Sequence, residues 1–111
     1  MPLEYLTVGA SLVTRLTGEL DLVAAAEFRR LADDLLDRRK VRHLVVNLER
    51  VTFLDSSFLG ALLGRYKRLR MEGGRMVLVG TPPTVRPTLE AAGIYAILRE
   101  FRSESDALSG D

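Results

Sequence analysis

The spacing of hydrophobic positions changes along the chain, and each change marks an element. Leu3–Val8 and Leu12–Leu16 are short β-prone runs separated by Gly9-Ala10, and a two-residue gap containing Gly predicts a hairpin. Thr17-Gly18-Glu19-Leu20-Asp21 reads as a break that ends the second strand, with Asp21 suited to cap the next element. From Leu22 the period becomes helical. Phe28, Leu31, Ala32 and Leu35 recur at i, i+3, i+4 and i+7, while Glu27, Arg29, Arg30, Asp33 and Asp34 fall largely on the other side. This predicts a surface helix to about Arg39. His43–Leu48 is almost continuously apolar and β-branched, as suits a strand covered on both faces.

Val51-Thr-Phe-Leu-Asp-Ser-Ser-Phe-Leu-Gly60 comes next and opens a helix from about Ser57 to Met71. Leu59, Leu62, Leu63, Tyr66 and Leu69 form its predicted buried stripe, with Phe58 at the margin and partly exposed, and Gly60 and Gly64 opposite. Glu72-Gly73-Gly74 stops that helix. Met76–Val79 is a second buried-type strand. Thr81-Pro82-Pro83-Thr84 leads into a short helix ending at Gly93, and with Thr84 as cap Pro87 falls in its first turn, where proline is tolerated. Ala96–Leu98 reads as a last short strand. Ser103 to Leu108 reads as a final helix, in which Ser103 and Asp106 resemble a capping box.

The predicted order is β-β-α-β-α-β-α-β-α, an α/β fold with a central mixed sheet, in one domain over residues 1–111. Functional loops of such sheets gather at the carboxyl ends of the strands. Asp21 and the Asp55-Ser56-Ser57 turn both follow strands, so both are expected at the same end.

Composition narrows the chemistry. The net charge is +1, which implies no strong pull toward nucleic acid or a membrane surface. Without cysteine there is no disulfide, thiol nucleophile or thiolate metal site, which suits a reducing cytoplasm. Met-Pro-Leu-Glu-Tyr does not read as a signal peptide, and no apolar run approaches the ~20 residues that span a bilayer. The single histidine, His43, opens a buried strand, so Ser57 has no partner for a usual catalytic triad. Asp21 and Asp55 lack a third ligand for a metal site. No Gly-rich phosphate cradle precedes a helix. Arg65, Lys67, Arg68 and Arg70 are interleaved with leucines, as on an ordinary solvated helix face. Gly60 and Gly64, four apart, are either tolerated small residues or a smooth patch for a partner. Ser56 and Ser57 either cap the helix or offer an exposed hydroxyl for phosphorylation, at a helix end that tolerates the added charge.

Leu54-Asp55-Ser56-Ser57-Phe58-Leu59-Gly60, followed by Leu62-Leu63-Gly64-Arg65-Tyr66-Lys67, resembles the signature of bacterial anti-sigma factor antagonists, which are small STAS domains. Leu16-Thr17-Gly18-Glu19-Leu20-Asp21, Val46-Asn47-Leu48 and Gly73-Gly74 match at the same spacings. The resemblance implies a non-enzymatic partner switch. Such a protein binds an anti-sigma factor that is also a serine kinase, frees a sigma factor, is released on phosphorylation, and is restored by a serine phosphatase. Phosphorylation carries over to Ser57, and partner binding to Asp21, Asp55, Ser56, Phe58, Gly60, Ala61 and Gly64. ATP and magnesium belong to the kinase, so the chain itself is expected to hold no cofactor or metal. Family members usually have Gly after the phosphorylated serine. Phe58 stands there instead, either as an aromatic anchor for a partner or as an obstruction to the kinase. Two other readings stay open: a constitutive scaffold subunit of a sensory or lipid-transport complex, and a sensor of a small ligand near Asp21 and Asp55.

Overall fold

Leu3–Val8 (β1) and Ser11–Leu20 (β2) pair as an antiparallel hairpin, with Gly9 in the left-handed conformation the tight turn requires. These come from a computed structural model that describes residues 3–109. The remaining elements are Leu22–Asp37 (α1), His43–Leu54 (β3), Ser56–Met71 (α2), Arg75–Val79 (β4), Arg86–Ala91 (α3), a 3-10 turn at Ile94–Ala96, Arg99–Phe101 (β5) and Glu104–Ser109 (α4). The strands lie in the order β1-β2-β3-β4-β5. All pairs after the hairpin are parallel, so the sheet is mixed.

Alternation along the strands feeds two cores. Leu12, Leu16, Leu44, Val46 and Leu78 face one side and bury Phe28 of α1, Phe58 and Leu62 of α2, and Leu89 of α3. Val13, Val45, Val77, Val79 and Phe101 face the other side, under Ala107 of α4. This double cover explains why β4 and the first half of β3 read as unbroken apolar runs, whereas β3 continues past Leu48 to Leu54 through exposed Glu49, Arg50, Thr52 and Phe53.

Three local expectations are corrected. The second strand does not break at Thr17 but continues to Leu20. Its pairing with β3 shifts register between Arg15 and Thr17 and between Gly18 and Glu19, with the extra residue on β3 each time, and left-handed Gly18 between exposed Thr17 and Glu19 gives this end of the strand the look of a turn. The last strand is not Ala96–Leu98. Gly93, in the left-handed region, starts a turn that closes with Ile97 N–H and Leu98 N–H both donating to the Ile94 carbonyl. Pairing with β4 therefore begins only at Arg99, opposite Val77. Finally, Val85 rather than Thr84 precedes α3, without a side-chain cap, and the proline sits in the first turn.

Helix α4 is held to the sheet by polar contacts as well as by Ala107. Ser103 Oγ accepts from Asp106 N–H, the cap of α4. Arg15 donates to both oxygens of Glu104, at 2.8 and 2.7 Å, and the Asn47 amide donates to Glu104 at 2.8 Å. The Arg15 hydrogen bonds hold the Glu104 carboxyl below its ordinary pKa of 4.5 against burial, which pushes it up, and Asn47 adds to the lowering. A lowered folded-state pKa gives stability that is complete above the ordinary value and drains as pH falls through the folded one. Glu104→Gln is expected to be less stable than wild type at pH 7, with the difference shrinking in acid denaturation series below pH 4.5.

Gly74, just after α2, is required by packing. A Cβ there would overlap the Arg42 carbonyl oxygen of the α1–β3 loop. Both groups are backbone, so neither yields cheaply. Gly74→Ala is expected to lose about 1–3 kcal/mol in a denaturant titration, the usual range for overpacking.

Candidate functional site

The two parallel strands β2 and β3 run past the end of β4 and finish together. Leu20 pairs with Leu54, and the Asp55 N–H donates to the Leu20 carbonyl at 3.1 Å. Asp21 and Asp55 therefore emerge side by side, each at the start of a helix. Asp21 Oδ1 accepts from Val23 N–H and Ala24 N–H at 3.1 Å each, capping α1. Asp55 Oδ1 accepts from Phe58 N–H at 3.1 Å, capping α2. The expected meeting of the two turns at one end of the sheet is what the structure places there.

The cap on α2 separates the serines from that duty. Helix α2 begins at Ser56, one residue before the sequence pattern suggests, because Asp55 takes the capping position. Ser56 and Ser57 are its first two helical residues, and Ser56 is exposed while Ser57 is half-exposed. The first N–H groups of a helix have no partner inside it and carry the positive end of its dipole. A hydroxyl on the first turn sits next to them, and the Asp55 carboxylate lies beside it. That arrangement can accommodate an anion on the serine, with the dipole favouring it and Asp55 opposing it.

Two of the residues expected at a docking surface lie inside the protein. Phe58 is fully buried, its ring 5.1 Å from that of Phe28 at 48°. Ala61 is 1% exposed. The buried stripe of α2 is Phe58, Ala61, Leu62 and Leu69, while Leu59, Leu63 and Tyr66 lie at its edge. It is rotated from the predicted one because α2 packs on α1 as well as on the sheet. Phe58 is consequently neither a partner anchor nor an obstruction over Ser57. Gly60 is exposed and Gly64 half-exposed, and a Cβ on either would meet nothing within 4 Å. Internal packing does not require them. Gly60→Ala and Gly64→Ala are each expected to stabilise the free chain by roughly 0.5–1 kcal/mol, the usual cost of Gly in a helix, measured as a raised melting temperature.

The remaining sequence candidates lie elsewhere. His43 begins β3, at the opposite end of that strand from Asp55. Burial, then Arg75 and Arg42, lower its pKa. Arg65 is paired with Asp33 at 3.1 Å, and Arg68 with Asp37 at 2.7 Å and Glu72 at 3.0 Å. These two cations are engaged by carboxylates of α1 and of the α2 end. Sequence reasoning passes over Phe53, Leu22 and Val23, which are 52%, 64% and 63% exposed next to the two capping aspartates. A hint is available in the periodicity, since Leu22 and Val23 fall outside the helical stripe of Phe28, Ala32 and Leu35.

A five-strand mixed sheet, covered by three helices on one side and one on the other, with a Ser-Ser pair opening α2, defines a STAS domain. The STAS-domain family model matches residues 3–107, and the chain belongs to that family. It is 37% identical over 98 residues to the anti-sigma F factor antagonist of Paenibacillus polymyxa, covering 88% of this chain and 84% of that one. The structure of the anti-sigma factor antagonist SpoIIAA in its unphosphorylated form superposes with a TM-score of 0.82 at 27% identity, covering 96% of this chain and 94% of that one. The Bacillus cell fate determinant SpoIIAA in its phosphorylated form gives 0.79 at 29% identity, covering 96% of both chains.

Proposed function

We propose that this STAS domain is an anti-sigma factor antagonist, a binding protein without catalysis of its own. In this reading it binds an anti-sigma factor that is also a serine kinase, through Asp21, Asp55, Ser56, Gly60 and Gly64, and so releases a sigma factor. The observation that carries it is the division of labour at the start of α2. Asp55 supplies the cap, which leaves the half-exposed Ser57 hydroxyl without that structural duty beside it. The names borne by the relatives support the antagonist role. That one structural neighbour is a phosphorylated form supports control by phosphate.

The chemical step belongs to the partner. The Ser57 hydroxyl oxygen attacks the γ-phosphorus of ATP bound with magnesium on the kinase. The O–P bond forms as the bond to the β-bridging oxygen breaks, ADP leaves, and the hydroxyl proton passes to a base of the kinase. A serine phosphatase reverses the modification by hydrolysis. In this scheme the chain works in the cytoplasm and holds no cofactor.

Incubation with an anti-sigma F kinase, ATP and magnesium is expected to add one phosphate by mass spectrometry, located on Ser57. Uptake by Ser57→Ala equal to that of wild type would reject the site. Failure of the unmodified chain to bind the anti-sigma factor would reject the function. Gly60→Ala and Gly64→Ala, which leave the fold intact, are expected to weaken that binding by introducing methyl groups at the contact.

A further inference from the structure

The two edges of the sheet are unlike. Strand β5 is three residues long and carries Arg99 and Glu100, and a short charged strand is a usual defence of an open edge. Strand β1 has six residues, pairs with β2 without a bulge, and contains no Lys or Pro. Its one charge, Glu4, stands opposite Arg15 of β2. Such an edge presents its outer backbone N–H and C=O groups in regular order, ready to pair with another strand.

The side chains of β1 leave that edge accessible from both faces. Directly opposed residues share a face of the sheet. Leu3, Tyr5 and Thr7 therefore lie on the side of α1, with Leu16, Thr14 and Leu12, while Glu4, Leu6 and Val8 lie on the side of α4, with Arg15, Val13 and Ser11. Every residue from Glu4 to Val8 is exposed, with Tyr5 at 55%, Leu6 at 36% and Val8 at 43%. Helix α4 packs on β3, β4 and β5, which leaves Leu6 and Val8 without a helix over them. On the other face Leu3 packs against the larger core, whereas Tyr5 stands clear of it.

A second copy of β1 fits this edge. An antiparallel pair of identical strands closes around a two-fold axis, which joins two five-strand sheets into one. With the axis perpendicular to the sheet at Leu6, Leu6 meets Leu6 of the second copy, each Tyr5 meets Thr7, and each Glu4 meets Val8. The Tyr–Thr contacts are aromatic–β-branched pairs of the kind that stabilise sheets, and no like charges stand opposite one another. We propose that the chain self-associates through β1 into a two-fold dimer with Leu6 on the axis. The seam is one strand wide, at the small end of protein interfaces, so dimer and monomer exchange reversibly. It draws on none of the residues assigned to partner binding.

Sedimentation equilibrium of the full chain, from micromolar to near-millimolar concentration, tests this, with folding checked by circular dichroism. The average mass is expected to rise from one chain toward two and stop there, since each copy has a single β1 edge. Leu6→Lys sets two like charges together on the axis and is expected to stay monomeric throughout. Tyr5→Lys, at a more exposed position on the opposite face, covers the case in which Leu6→Lys folds poorly. It is expected to weaken association about tenfold, because the two-fold repeats the lost pair. Val8→Lys places a cation opposite Glu4 of the second copy and is expected to dimerise at least as tightly as wild type. Met71→Gln, altering an 88%-exposed apolar residue on α2, is expected to change nothing. A wild-type mass that stays at one chain, or climbs past two, would overturn the proposal. So would folded Leu6→Lys or Tyr5→Lys dimers as tight as wild type, or loss of the dimer in Val8→Lys or Met71→Gln.

Discussion

Phe58→Ala is expected to lose about 3–5 kcal/mol of folding stability, the range for truncating a buried phenylalanine. The side chain is fully buried and meets Phe28 ring to ring, so truncation removes both transfer energy and the contact that joins α1 to α2. Relaxation into the space is limited by Leu62 and Ala61 on the same helix face, which already lie in the core. A domain stability of roughly 5–15 kcal/mol makes such a loss a large fraction of the whole. The denaturant midpoint should drop sharply, and Phe58→Leu, which keeps most of the volume, should lose much less. Phe58→Gly, the residue usual in the resembled family, is expected to be at least as damaging as Ala in this chain. It adds the helix cost of Gly to the same cavity. A midpoint for Phe58→Ala within error of wild type would mean that the ring does not sit in the core.

The burial of Phe58 shows what hydrophobic spacing reports. Spacing alone draws a helical stripe through Leu59, Leu62, Leu63 and Tyr66, as if α2 met a single flat surface. In the structure α2 lies in the angle between the sheet and α1, so the buried arc turns toward Phe58 and Ala61. Nothing in the local sequence shows where the neighbouring helix stands. The same limit hides the second half of β3. The two register shifts put buried Leu48, Val51 and Leu54 three residues apart, a spacing that breaks the alternation of a strand and imitates a helix. By contrast, β4 and His43–Leu48 of β3 are legible because double cover makes them almost uniformly apolar, and α1 because one face packs and the other is solvated. At the candidate site, the junction and its Asp-Ser-Ser chemistry are visible in the sequence. Which of three capping-competent residues takes the cap is not, since that depends on where the helix starts. The hydrogen bond from Phe58 N–H to Asp55 selects Asp55.

Phosphorylation of Ser57 is expected to weaken binding to the anti-sigma kinase by roughly 100-fold or more, toward the upper end of couplings of 5–150-fold, while leaving the fold intact. Retention of the fold follows from position. Asp55 already satisfies Phe58 N–H, so the first N–H groups of α2 remain for the phosphate, and the dipole offsets repulsion from the carboxylate. The melting temperature should therefore shift by only a few degrees. The effect on binding has two opposing parts. About −1.5 to −2 of added charge should strengthen attraction to any basic group of the partner near Asp21 and Asp55. Such attraction is screened at an exposed edge over about 8 Å. In the proposed switch the phosphate would instead occupy the point of closest approach, where the hydroxyl meets the γ-phosphate, and after transfer it would face the anionic ADP left on the kinase. Burying an unmatched charge costs several kcal/mol, more than an exposed ion pair returns. Exclusion therefore outweighs attraction. Ser57→Glu carries one charge and less bulk, so its loss should be smaller, about tenfold. Removal of ADP should restore part of the affinity of the phosphorylated chain. Calorimetry with and without ADP separates the two terms, and equal or tighter binding of the phosphorylated chain would overturn the switch.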